Sequence, residues 1–194
     1  MMLKNPTWSA LAFLLSQMLP VAFAASTPQE FSPTPTNENR IGLGTAYVIH
    51  GDANVDMPVY ISLAPDVKLS RISFDLVFPR EKLLWIHAEA GIQAGLSVKG
   101  ETRPAAEGSS QTTIRLEIEV DSPIGIANGV IASVRLRLKP EAGLGTIPVS
   151  IAEVIATGTS TPDESAVDIA GFGANVKVVT PDDYPAVACF FFAH

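Results

Sequence analysis

Strict alternation of apolar and polar residues is the feature that most constrains how this chain can fold. In the stretch ISFDLVF, side chains of one parity are all large and apolar: Ile72, Phe74, Leu76 and Phe78. The same period of two recurs in TTIRLEIEV and in VIASVRLRL. Successive side chains of a β-strand point to opposite faces, so this pattern predicts strands with one buried and one solvated face.

Further short apolar stretches, separated by clusters of Gly, Pro, Asp and Ser, also predict strands. The predicted strands are Thr45–His50, Pro58–Leu63, Arg71–Phe78, Leu83–His87, Thr112–Val120, Val130–Leu138, Ile147–Ile155 and Ala174–Val179. No window of helical length carries an apolar stripe with a 3.6-residue period. We therefore expect an all-β chain folded as a two-sheet antiparallel sandwich.

Both ends of the chain differ from this central part. Residues 1–24 combine Lys4, an apolar run and Ala22-Phe23-Ala24, a pattern typical of a cleaved signal peptide. The apolar run is shorter than the roughly 20 residues that a membrane-spanning helix needs. We expect a Pro/Ser/Thr-rich linker over 25–43, a folded domain over 44–180 and a tail over 181–194, and the tail contains an apolar run that the pattern does not explain.

Charge and cysteine content narrow the compartment and the partners. Removal of residues 1–24 takes away Lys4 and leaves 12 basic and 20 acidic side chains, a net charge of −8. This acidity argues against nucleic acid and anionic membranes as partners. Cys189 is the only cysteine, so the chain cannot form an internal disulfide. The expected location is extracellular or at the cell surface, with the periplasm as a further possibility.

The sequence offers little that could carry catalysis or hold a metal. The histidines show no HxH or HExxH spacing, and neither a GxSxG elbow nor a P-loop is present. Glu117 and Glu119 could act as glycosidase carboxylates, but neighbours on one strand face beside Arg115 are more often a solvated surface. We expect no enzyme activity, no cofactor and no metal.

One short stretch, Asp52-Ala-Asn54-Val-Asp56, resembles the start of a calcium-binding loop. Such a loop needs Gly at its sixth position and a bidentate Glu at its twelfth. Those positions hold Met57 and Leu63. A polar turn between two strands is the favoured interpretation.

The order of these elements resembles the cohesin family. The run FPREKLLWIHAEAG is similar to a cohesin aromatic-ended strand, short turn, Leu-led strand and Gly. IRLEIEVDSPIGIANGVIASVRLRLKPEAGLGTIPVSIAEV is similar to the following strand, polar loop, Gly-led long strand and next strand. VDIAGFGANVKVV resembles the closing Gly-rich turn and final strand, so the resemblance covers about residues 44–180.

The resemblance implies a nine-stranded jelly-roll sandwich that binds a dockerin module and attaches enzymes to a scaffold. The turn after Phe78 would carry the chain from one sheet to the other. The partner would be a dockerin-bearing secreted protein, in an extracellular polysaccharide-degrading or surface assembly. The implied binding residues lie on two adjacent strands: Arg71, Ser73, Asp75, Arg115, Glu117 and Glu119.

The sequence departs from the family on that surface. The positions where many cohesins carry a dockerin-contacting Asn and Asp hold Arg71 and Ser73. Pro79 also stands one place earlier than the usual Asp-Pro. We expect Asp75 to be exposed, so that Asp75→Ala should have little effect on stability.

Two alternatives remain at this stage. A carbohydrate-binding module would have a related fold and could bind polysaccharide, but Tyr47, Tyr60 and Trp85 lie in apolar strands and are expected to be core or half-buried rather than an aromatic platform. Secondly, Glu117 and Glu119 could face Arg135 and Arg137 across a simple hairpin. The resemblance favours placing these two strands in opposite sheets, with a more acidic recognition face.

Overall fold

The computed structural model describes residues 38–159 and 166–185. Within them the chain forms twelve strands and two short 3-10 helices, Pro140–Ala142 and Pro181–Asp183. The strands are β1 (Arg40–Leu43), β2 (Ala46–Ile49), β3 (Asn54–Ser62), β4 (Leu69–Pro79), β5 (Leu83–Ala90), β6 (Leu96–Thr102), β7 (Gln111–Val120), β8 (Gly129–Leu138), β9 (Gly145–Gly158), β10 (Ala166–Val167), β11 (Ala170–Phe172) and β12 (Ala174–Val179).

The strands form the two-sheet sandwich that the alternation predicts. One sheet has the order β11-β1-β3-β8-β5, and the other has the order β2-β12-β9-β4-β7-β6 with β10 paired to β9. Neighbouring strands are antiparallel except for β1 with β11 and β2 with β12, which are parallel pairs. All eight predicted strands are present, and the all-β class is confirmed.

The core lies between the two sheets and takes the apolar face of β4. The side chains of Ile72, Phe74, Leu76 and Phe78 are 0–1% exposed. Facing residues such as Met57 and Val134 are fully buried in the other sheet. Burial of a large aromatic side chain contributes roughly 1.5–3 kcal/mol, so this face of β4 fixes the strand's orientation.

The short turn after β4 changes sheets, as expected. Lys82 N donates to Pro79 O at 3.2 Å and closes the turn. Leu83 then enters the core of the other sheet at 1% exposure. The predicted separation of β7 and β8 is also confirmed, because they lie in opposite sheets.

The predicted linker extends too far toward the domain. Residues 40–43, assigned to it, form β1, which pairs with β3 from Arg40 opposite Ser62 to Leu43 opposite Val59. Ile41 and Leu43 are fully buried. The run is too short to show alternation, which is why composition alone misplaces it. Residues 1–37 and 186–194, which contain the predicted signal peptide, most of the linker and Cys189, lie outside the described residues.

Candidate recognition face

The solvent side of β9, β4, β7 and β6 carries the residues that the sequence singles out. We call this surface the recognition face. Antiparallel pairing of β4 with β7 brings together all six predicted residues: Arg71 opposite Glu119, Ser73 opposite Glu117, and Asp75 opposite Arg115. The alternation that buries Phe74 therefore also directs these residues to the outer face of the sheet.

Arg71 neutralises much of the acidic charge of β7. Its guanidinium forms ion pairs with Glu117 and, at 3.3 Å from Nε to Oε1, with Glu119. The Arg71 side chain is 54% exposed and that of Glu117 is 24% exposed. The face therefore carries paired charges of both signs rather than the more acidic surface expected from the sequence. The residues of β7 alone do not show this pairing, because Arg71 comes from β4.

The burial of Asp75 contradicts the expectation from the sequence that this residue is exposed. Its side chain is only 4% exposed. Arg115 Nε lies 3.0 Å from Oδ1, and Arg103 Nη1 lies 3.2 Å from Oδ2. Arg115 belongs to β7 and Arg103 directly follows β6, and the two side chains cover the carboxylate from above. Asp75 therefore cannot contact a partner directly.

Glu153 completes this cluster from the other side of β4. Arg115 Nη1 donates to the Glu153 carbonyl oxygen at 2.9 Å, and its Nη2 lies 3.2 Å from Glu153 Oε2. Arg103 Nη1 donates to the same carboxylate oxygen at 3.0 Å. Together Asp75, Arg103, Arg115 and Glu153 form what we call the charge cluster. It joins β6, β7, β4 and β9 across the face.

A β-bulge in β9 makes this arrangement possible. Ser73 is opposite Ile155 and Asp75 is opposite Ala152, so two residues of β9 face one of β4. Glu153 in the bulge has φ of 46°, an uncommon conformation for a residue with a side chain. The bulge directs both the carbonyl and the carboxylate of Glu153 toward Arg115.

Burial sets the direction in which the pKa of Asp75 shifts. Desolvation raises the pKa of Asp75, Arg115 and Arg103 oppose that shift, and the nearby Glu153 adds to it. Oδ1 of Asp75 accepts no hydrogen bond from the described residues, because Arg115 Nε approaches it without hydrogen-bond geometry. The carboxylate is held by charge more than by directed hydrogen bonds.

Ile155 is the apolar residue of this face that sequence reasoning missed. It lies opposite Ser73 and is 59% exposed. Its neighbours on the face are the ion pairs of Arg71 on one side and the charge cluster on the other. An exposed aliphatic side chain beside paired charges is suited to anchor a protein partner.

A cleft of about 380 Å³ lies at one end of the recognition face. Its lining is polar and includes hydroxyl groups and both signs of charge: Ser70, Arg71, Gly95, Ser97, Glu119, Val120, Asp121 and Thr157. Because Arg71 and Glu119 belong both to the cleft and to the recognition face, a partner bound on the face could place a polar side chain here.

Other candidate chemistry from the sequence has a structural explanation. Among the described residues no group of His, Cys, Asp or Glu could hold a metal ion. In the segment resembling a calcium loop, Asp52 and Ala53 precede β3 and residues 54–56 begin it, and Asp56 pairs with Arg135 at 2.7 Å. Trp85 packs partly buried against the core rather than forming an open platform. No helix in the described part of the chain is long and apolar enough to cross a membrane.

Comparison with known proteins identifies the fold. No protein-family model matches the chain, and no curated protein sequence matches it. The sixth cohesin of Acetivibrio cellulolyticus scaffoldin B, solved with a Cel5 dockerin mutant, gives a TM-score of 0.55 at 17% identity, over 73% of this chain and 99% of its own. A cohesin module of a Clostridium perfringens family 33 glycoside hydrolase gives 0.58 at 13% identity, over 75% and 99%.

A third solved structure, the Coh-OlpA–Doc918 type I cohesin–dockerin complex of Clostridium thermocellum, gives a TM-score of 0.54 at 16% identity, over 74% of this chain and 100% of that one. The chain therefore has a cohesin-like fold. The resemblance that the sequence motifs indicate is confirmed at the level of the fold.

Proposed function

We propose that this chain is a secreted, non-catalytic binding module whose recognition face binds a dockerin-type protein partner. The observation that carries the proposal is the conjunction of a cohesin-like fold with an exposed apolar residue, Ile155, beside the paired charges of the recognition face. Two of the three similar structures described above are cohesins in complex with dockerins.

The charge cluster would make the face rigid before binding. Arg115 is held by Asp75 and by two oxygens of Glu153. Side chains that are already fixed lose little conformational entropy when a partner arrives, and this improves affinity. The partner would bury Ile155 while leaving the ion pairs at the rim, where they exclude wrong partners more than they add affinity.

The departures from the family would determine which partner fits. Arg71 and Ser73 occupy positions where many cohesins carry Asn and Asp, and Arg71 is paired with Glu117 and Glu119. A dockerin that donates hydrogen bonds to both positions in other cohesins would meet the guanidinium of Arg71 at one of them in this chain. We therefore expect a dockerin-type partner with an acceptor or carboxylate in that place.

Secretion belongs to the same proposal. It is supported by the signal-peptide pattern of residues 1–24, with its small residues at positions 22 and 24. The module would work outside the cytoplasm, in a polysaccharide-degrading or surface assembly. Binding and not catalysis would be its contribution, since the face offers paired charges and an apolar anchor.

Affinity capture tests the proposal. The full chain, immobilised and exposed to the secreted proteins of the organism that makes it, should retain a protein that contains a dockerin module. Retention should fail on a chain with Ile155→Glu. Recovery of no dockerin-containing protein, or the absence of any dockerin from that genome, would contradict the proposal.

A further inference from the structure

A second surface, distinct from the recognition face, carries cations that the fold leaves unpaired. Most arginines of the described chain pair with a carboxylate, as Arg135 does with Asp56. Four cationic side chains at one end of the sandwich form no ion pair or side-chain hydrogen bond with any other described residue: Arg80, Lys82, Arg137 and Lys139. We call them the cationic end.

These four residues are brought together by the turn after β4 and by the end of β8. Lys139 N donates to Lys82 O at 2.9 Å. Arg80 and Lys139 line one cleft of about 430 Å³, and Arg137 and Lys139 line a neighbouring cleft of about 400 Å³ that also contains His50 and Asp52. In a chain of formal net charge −7, this local excess of positive charge requires an explanation.

Trp85 forms part of the wall of the first cleft. β5 and β6 are edge strands of opposite sheets, and the indole of Trp85 bridges them. A Cβ atom at Gly100 would lie 2.5 Å from Cζ2 of Trp85, so the absence of a side chain there lets the ring rest on β6. The ring is partly buried by this contact but still lines the cleft, together with Leu83 and Leu84.

The remaining lining residues of this cleft are polar: Arg80, Glu81, Thr102, Thr112 and Lys139. Its volume lies in the range of small-molecule sites, which combine apolar walls with a few polar groups that orient the ligand. An aromatic ring beside aliphatic side chains suits the apolar face of a pyranose. The threonine hydroxyls suit sugar hydroxyls, and Arg80 with Lys139 suits a carboxylate.

We propose that the Trp85 cleft binds an acidic sugar residue, of the uronic acid class, in an anionic polysaccharide. The site would be independent of the recognition face, so the module could hold a protein partner and an acidic polysaccharide at the same time. The neighbouring Arg137 and Lys82 would extend the contact along a polymer by attracting its further carboxylates. An acidic protein segment would exploit the same cations but would have no need of the Trp85 wall.

Fluorescence titration of the full chain with trigalacturonate tests this proposal. We expect saturable binding that changes the emission of Trp85, with the change lost in Trp85→Phe, which retains only Trp8. Replacing Arg80→Gln and Lys139→Gln together should raise Kd about tenfold or more, since each charged hydrogen bond contributes enough to account for that factor. The control Lys99→Gln removes an exposed cation from β6 on the recognition face and should change Kd by less than about twofold.

Three results would overturn the proposal. They are the absence of saturable binding, equal affinity for a neutral galactose trimer, and equal affinity for hexaglutamate. The last result would assign the cationic end to an acidic protein instead. Capture of a dockerin-containing protein should be unchanged in the Arg80→Gln/Lys139→Gln variant, which separates failure of this site from failure of the recognition face.

Discussion

Arg115 Nε lies 3.0 Å from Oδ1 of Asp75, a carboxylate whose side chain is only 4% exposed. Asp75 therefore supports the recognition face from beneath and does not contact a partner. Its burial depends on Arg103 and Glu153, which come from distant parts of the chain.

Core and cluster substitutions should rank in a definite order. Phe74→Ala empties a fully buried site and should reduce the free energy of unfolding by about 3–5 kcal/mol. Asp75→Ala removes the buried carboxylate that Arg103 and Arg115 contact. We expect it to reduce the free energy of unfolding by about 1–3 kcal/mol. Denaturant unfolding measures both. An Asp75→Ala effect within about 0.5 kcal/mol, the range of an ordinary surface substitution, would show that Asp75 is exposed after all.

The pH dependence of stability tests the electrostatics of Asp75. Since burial raises its pKa in the folded state, folding takes up a proton between its ordinary value, about 3.9, and the raised value. The contribution of Asp75 is then fully present below the unfolded pKa and is lost as pH rises through the folded pKa. The difference in unfolding free energy, wild type minus Asp75→Asn, should therefore shrink as pH rises through this window.

The same experiment distinguishes burial from ion pairing. If Arg115 and Arg103 outweighed desolvation, the folded pKa of Asp75 would be lowered. The difference between wild type and Asp75→Asn would then grow as pH rises. Unfolding curves for the two proteins, measured across this range at one salt concentration, decide the sign.

Double-mutant cycles test the assignment of β7 and β8 to opposite sheets. Arg71 pairs with Glu117 across adjacent strands, and an exposed pair of this kind couples by about 0.2–1 kcal/mol. Arg135 lies in the other sheet and pairs with Asp56. The coupling between Glu117 and Arg135 should be within about 0.3–0.5 kcal/mol of zero, as for sites without shared partners. A clear coupling between these two residues would indicate a hairpin instead.

The sequence predicts which side chains of β4 and β7 face the core, because both strands alternate without interruption. The residue-by-residue pairing, from Arg71 with Glu119 to Asp75 with Arg115, is visible only in the structure, because a slip of two residues would leave the alternation unchanged. Alternation says only that Asp75 points away from the core. It cannot show that Arg103 and Glu153 fold over it, because those contacts join strands that are distant in sequence.

Ile155 was missed for a related reason. It shares its parity with Ile147, Val149 and Ile151, so uninterrupted alternation would turn it inward. The bulge at Glu153 shifts the register by one residue, and a shift of one reverses the face of every later side chain. The sequence pattern does not predict short strands such as β1 and β11, because three or four residues are too few to show a period of two.

The central claim is that the recognition face, with Ile155 as its apolar anchor, binds the partner. Titration calorimetry with the captured dockerin-containing protein tests it most directly, by comparing Ile155→Glu with Val130→Glu. Val130 is a matched control, an aliphatic residue of the opposite sheet that is 38% exposed. We predict that Ile155→Glu weakens binding by about 2 kcal/mol or more, as expected for a hot-spot residue, and that Val130→Glu leaves Kd unchanged. Equal affinity of both variants, or loss of binding only with Val130→Glu, would contradict the account.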